Sequence, residues 1–223
     1  MKLKALLLDL DGTLINTAPD MVATLNRVLT SHNQPEVDYS QASNLVSNGA
    51  KALLQYGFKE QMTDDNTDEL INQFLTSYAD NICIESHLYA GMSELLARCD
   101  NANIQWGVVT NKPLQLSRSL LDELDLLNQC SILLGGDSLP VKKPDPAPLL
   151  HCCMALNLAP SECLYVGDHE RDIIAGRDAG MDTAVALWGY IEEHQDPETW
   201  GANYLVNQPS GLVDLLNDRL NQL

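Results

Sequence analysis

Short apolar runs, most of them without polar alternation, recur along the chain at 3–10, 104–109, 131–134, 163–166, 183–187 and 204–206. A strand with one wet face alternates apolar and polar residues, whereas a strand covered on both faces does not. From residue 91 onward, segments with helical spacing separate the runs, at 91–99, 113–124, 146–156, 171–179 and 210–220. Strand alternating with helix predicts βαβ units, a mostly parallel sheet and right-handed crossovers. In such sheets, ligands gather at the carboxyl ends of the strands.

Residues 16–83 break the alternation. Thr17-Ala-Pro-Asp20 has the form of a capped helix start, with Thr17 as N-cap and Pro19 in the first turn. Met21, Val22, Leu25, Val28 and Leu29 follow at helical spacing. A second helix is predicted near Tyr39 and a third over 64–81, striped by Leu70, Ile71, Phe74, Leu75 and Tyr78. No strand signal interrupts them. The expected organisation is an α/β core of residues 1–15 and 84–223, with a small all-helical unit of residues 16–83 inserted after the first strand. Such a unit would sit as a lid over the strand ends.

Composition changes the picture only at its margins. With 45% hydrophobic and 20% charged residues, the chain suits a soluble globular protein with a sizeable core. Its net charge of −18 argues against nucleic acid or an anionic membrane surface as partner. A small anion stays open, provided local positive charge receives it. The N-terminal apolar run is short and ends in aspartates, so it reads as a strand and not as a signal peptide. No run approaches a membrane span. The scattered cysteines form no C-x-x-C pair and read as small buried thiols of a cytoplasmic protein. Monomer and homodimer are both open.

The chemistry begins in "LDLDGT". Asp9 and Asp11 lie two apart, hence on one side of a strand end, where two full charges ~5 Å apart repel by roughly 3 kcal/mol at an effective dielectric near 20. Either a cation sits between them or one holds a proton. Asp9 suits a nucleophile or metal ligand, Asp11 a general acid and base, and Gly12 a sharp turn bringing its N–H close to an anion. In "WGVVTNK", Thr110 and Asn111 end a strand just before a helix, a place suited to a phosphate oxygen. In "VKKPDPAPL", prolines hold a lysine that can serve as a point charge for phosphate. In "LYVGDHERD", Asp168 follows a strand and Asp172 lies four residues on, at a helix start. Carboxylates from two strand ends make a hard, oxygen-only site of the kind Mg²⁺ prefers. Taken singly, each signal is also an ordinary turn, cap, surface lysine or helix-dipole partner.

In this order, each at a strand terminus, the motifs resemble the haloacid dehalogenase (HAD) superfamily across nearly the whole chain. The resemblance implies a Rossmann-like core with a helical cap after the first motif. It implies that Asp9 attacks phosphorus to give an aspartyl-phosphate and that Asp11 protonates the leaving oxygen, then activates water. Thr110 and Lys143, the lysine directly before proline, would complete the motifs. Mg²⁺ would sit between Asp9, the Asp11 carbonyl, Asp168 and the phosphate of a small phosphorylated metabolite, with Asp172 holding its waters or Lys143. His169 is expected to be a half-exposed loop residue. "LDLDGTLINTAPD", "SNGAKALL", "VVTNKP" and "KPDPAPLL" resemble the phosphoglycolate phosphatase-like branch. By that likeness, Asn48, Gly49 and Lys51 of the cap would meet the organic half of the substrate, Lys51 at a carboxylate. "IQWGVVTNKP" and "GYIEEHQDPETWGANYLVNQP" resemble the N-acetylmuramic acid 6-phosphate phosphatases. A phosphosugar mutase of the same superfamily would share every motif. A dehalogenase would need neither Asp11 nor the metal pair, and a receiver domain lacks the insert.

Overall fold

The computed structural model describes residues 3–221. Six strands form a parallel sheet: β1 (Ala5–Leu8), β4 (Gln105–Val109), β5 (Ile132–Leu134), β6 (Cys163–Gly167), β7 (Asp182–Ala186) and β8 (Tyr204–Val206), in the order β5-β4-β1-β6-β7-β8. Ala5 of β1 aligns with Gln105 on one side and Cys163 on the other. Successive β1 residues take opposite faces. Leu6 and Leu8 join a cluster with Trp106, Leu95 and Leu212, whereas Ala5 and Leu7 join one with Tyr165, Leu149 and Cys152. Helices α5 (Met92–Ala102), α6 (Leu114–Glu123) and α9 (Pro209–Asn221) contribute to the first cluster; α7 (Ala147–Leu156) and α8 (Glu170–Asp178) contribute to the second. Double coverage is why these strands carry no polar alternation.

The inserted unit has its own core. Helices α1 (Ala18–Ser31), α2 (Tyr39–Ala42), α3 (Gly49–Phe58) and α4 (Thr67–Ala79) bury Leu25, Leu29, Leu53, Leu54, Phe74 and Tyr78 together. Cutting Phe74 to Ala would cost about 3–5 kcal/mol. Two features differ from expectation. A ribbon of β2 (Ile15–Asn16) and β3 (His87–Leu88), two residues each, brackets the unit where no strand was expected; so short a pair leaves no periodic trace. The expected second helix is divided: α2 passes into a 3₁₀ stretch, Ser43–Asn48, and α3 restarts at Gly49, whose φ is +80°. Beside the ribbon, the buried Asp20 carboxylate accepts from the Glu85 and Ser86 N–H groups and the Ser86 hydroxyl, tying the outgoing chain to the returning one.

Thr17 occupies the N-cap position of α1, yet its hydroxyl donates to Asp11 Oδ1 (2.6 Å). The Tyr190 hydroxyl accepts from the N–H groups of Thr17 and Ala18 instead (2.7 and 2.8 Å). Among the described residues, no helix is long and apolar enough to cross a membrane. The cysteines are free.

Candidate active site

β1 lies between β4 and β6, so the residues that follow these strands meet at one edge. Asp9 leaves β1, Thr110 leaves β4, and Asp168 and Asp172 follow β6. Asp9, Asp168 and Asp172 are buried, and each offers an oxygen within 4.8 Å of the others. Lys143, 3% exposed, reaches them from the loop before α7. Its Nζ lies 2.9 Å from Asp9 Oδ1 and 2.7 Å from Asp172 Oδ1, and it donates to the Val109 carbonyl and the Tyr165 hydroxyl. Burial alone would lower the Lys143 pKa; Asp172 and Asp9 outweigh it and hold the ammonium above its usual range.

Three carboxylates face that single ammonium, leaving an excess of two negative charges. Burial, together with Asp172, lifts the Asp9 pKa despite Lys143, because the lysine is shared. Asp168 has only neutral donors, the Ser47 hydroxyl (2.7 Å), the Tyr190 N–H (2.8 Å) and, more distantly, the Thr13 hydroxyl. Burial first, then Asp9 and Asp172, pushes its pKa up to about 8. A compact, oxygen-only cluster short of two positive charges fits a hard divalent cation, and Mg²⁺ suits it. Asp172 also accepts from the His169 N–H and so caps α8, whose start it fixes.

The clash between Asp9 and Asp11 is eased by the expected Lys143 at Asp9 and by a second, unforeseen lysine at Asp11. Asp9 shares Lys143 with Asp172, whereas Lys112, two residues after Thr110, lies 3.0 Å from Asp11 Oδ1. No role had been assigned to Lys112, although the unbalanced Asp11 and the "TNK" run were its signal. Gly12, at φ +79°, is required by the turn, and a Cβ there would collide with the Asp168 carboxylate. Its N–H donates to the Ile15 carbonyl, which corrects the expectation that it faces a bound anion. Asn111 Nδ2 donates to the Lys143 carbonyl (2.9 Å), and the residue also lines the cavity between cap and core. Thr110 Oγ1 accepts from the Lys112 N–H (3.2 Å), and its own O–H has no protein acceptor among the described residues.

Cap and core meet across a cavity of about 290 Å³, at the lower edge of the range for small-molecule sites. Asp9, Asp11, Thr110 and Lys143 floor it; Ile71, Phe74 and Leu75 form an apolar wall; Asn48, Gly49 and Lys51 belong to its roof. Ser47, besides bonding Asp168, gives its carbonyl to Arg171 Nη1 (3.0 Å). Asn48 accepts from Arg171 Nη2 (2.9 Å) and donates to Glu192 (2.9 Å). The neighbouring His169 is half-buried, and burial, with Arg171 beside it, pushes its pKa down to about 4. Its Nδ1 accepts from the Arg171 N–H, and its Nε2 faces Asn48 Oδ1. The sequence reading gives no role to Arg171 or Tyr190, and includes Ser47 only as the first residue of the cap segment that runs to Lys51.

The geometry agrees with known proteins. The model of the haloacid dehalogenase-like hydrolases matches residues 6–186. An N-acetylmuramic acid 6-phosphate phosphatase of Pseudomonas aeruginosa is 39% identical over 220 residues, 99% of this chain and 97% of that protein. A phosphoglycolate phosphatase of Xanthomonas campestris is 40% identical over 209 residues, 94% of each. The crystal structure of a predicted phosphoglycolate phosphatase from Haemophilus somnus superposes with a TM-score of 0.87 at 29% identity, covering 96% of this chain and 98% of that one. The chain belongs to the haloacid dehalogenase-like hydrolase family. With its buried aspartate cluster, it is a phosphomonoester hydrolase of the Mg²⁺-dependent type.

Proposed function

We propose that the protein hydrolyses a carboxylated sugar phosphate of the N-acetylmuramic acid 6-phosphate type through a phosphorylated Asp9. The phosphate lies over the floor, its oxygens facing Lys143 and the Thr110 hydroxyl. Asp9 attacks phosphorus; the bond from phosphorus to the ester oxygen breaks as the Asp9–phosphorus bond forms. Asp11 gives its proton to the departing alkoxide, then takes one from the water that displaces Asp9 and releases inorganic phosphate. Asp9, Asp168 and the Asp11 carbonyl would hold Mg²⁺, while Asp172 orients Lys143 and metal-bound water. The ion supplies charge neutralisation for the phosphoryl oxygens.

The observation that carries the substrate choice is the cavity's two-sided chemistry. Ile71 and Leu75, half-buried on α4, offer apolar surface that the face of a hexosamine and its acetyl group would cover. Lys51 and Lys142 line the same cavity and have no carboxylate partner among the described residues, which suits the substrate's carboxylate. Phosphoglycolate is the second reading, favoured by the 40% identity to the Xanthomonas enzyme. It would satisfy a lysine but leave the apolar wall facing water. Phosphate release across N-acetylmuramic acid 6-phosphate, phosphoglycolate and common sugar phosphates tests the choice. The muramic ester is expected to rank first by kcat/KM, and a higher rank for phosphoglycolate would overturn it. Dependence on glucose 1,6-bisphosphate would point to a mutase.

A further inference from the structure

Lys112 is 8% exposed and belongs to the core, yet its ammonium joins both halves of the molecule. On the core side it meets Asp11 Oδ1 at 3.0 Å. On the cap side it donates to the Tyr78 hydroxyl of α4 (3.1 Å), lies 4.3 Å from the centre of that ring, and is 4.0 Å from the Met21 sulfur of α1. Asp11 Oδ1 also accepts from Thr17, the residue just before α1. Both partners of that oxygen therefore depend on where the cap sits, and Oδ2 has no partner among the described residues.

A buried ammonium is tolerated when its donors are satisfied and its charge is paired. With the cap down, Tyr78 satisfies a donor and excludes water, so the Lys112–Asp11 pair acts in a low dielectric. With the cap lifted, water would replace the phenol, and an ion pair in water holds its geometry only weakly. We infer that Lys112 is a positioning residue through which cap closure, sensed by Tyr78, fixes the Asp11 carboxylate for proton transfer. This inference rests on the reading of Asp11 as the acid that protonates the leaving oxygen.

A series of substituted phenyl phosphates tests it, because the esters match in size while their leaving phenols differ in basicity. The first irreversible step is read by kcat/KM, and the need for an acid grows with leaving-group basicity. Positioned acid–base catalysis is worth about 10²–10⁴-fold, so Lys112→Met is expected to lose about tenfold more on phenyl phosphate than on p-nitrophenyl phosphate, and Tyr78→Phe about threefold more. Asp11→Ala sets the full steepening. A parallel fall across the series in both variants, or a rise in KM alone, would overturn the inference by making the pair structural or a substrate contact. If Asp11→Ala itself shows no steepening, the reading of Asp11 falls first. Tyr78→Phe keeps the ring in its apolar packing, so the test survives even if Lys112→Met fails to fold.

Discussion

The floor and the roof of the cavity are built on different principles. Asp9, Thr110 and Asp168 follow adjacent strands of a sheet covered on both faces, and Lys143 is clamped by four partners, so their positions follow from the core itself. The roof hangs on a 3₁₀ turn and a positive-φ glycine, and reaches the core through Ser47, Asn48 and Arg171. The aspartate cluster sits on rigid supports, and the part proposed to meet a particular substrate sits on short polar links. A group set into packed strands is held by the burial of its neighbours. A segment held by a few hydrogen bonds can change its side chains at little cost to the fold.

The sharpest way to break this contrast is at the floor. Asp9→Asn is expected to lower turnover by at least about 10⁴-fold and to abolish phosphoenzyme formation, read by acid quench with labelled substrate. The same change removes a carboxylate from an overcharged cluster, so the metal-free Tm should stay at or above that of the unmodified protein. Substantial residual activity would contradict covalent catalysis at Asp9, and a large fall in Tm would contradict the excess of negative charge.

The second effect concerns pH. Asp168 carries a folded-state pKa of about 8 against an ordinary value near 3.8. Between those values the folded metal-free protein holds a proton on Asp168 that the unfolded chain has lost, so this group's contribution to stability is fullest below about pH 4 and is lost as pH rises through about 8. Mg²⁺ competes with that proton, and its stabilisation grows with site occupancy. The Tm gain from Mg²⁺ is therefore expected to be larger at pH 8 than at pH 5, with EDTA reversing it. An equal gain at both values would remove the ion from the aspartate cluster.

Legibility in the sequence follows the same division. The six strands were readable because burial on both faces leaves continuous apolar runs; the residues that end them, ordinary turns and caps when taken singly, were readable only as an ordered set that resembles the family's motifs. The Asp9–Asp11 repulsion was readable too, but its resolution was not. Lys112 is 101 residues from Asp11, and only the pairing of β1 with β4 brings them together. Tyr190 lies 173 residues from the helix start it satisfies, so Thr17 looked like the cap. The division of the second cap helix leaves no trace in the sequence, since a 3₁₀ turn and an α-helix share nearly the same apolar spacing over one turn.

The gentlest test is at the roof, on Lys51. It is exposed, stands on α3 just after the turn made by Gly49, and lines the cavity. An exposed lysine meeting a carboxylate gains little from each contact, so Lys51→Ala is expected to raise KM for the carboxylated ester only about fivefold, with kcat nearly unchanged. An aryl phosphate lacks the carboxylate and should keep its KM. If both substrates lose affinity equally, Lys51 supports the roof and does not read the substrate. If neither changes, the carboxylate is read elsewhere on the rim, with Lys142 as the next residue to replace. In each outcome the phosphorylation of Asp9 should persist, because the floor takes none of its geometry from Lys51.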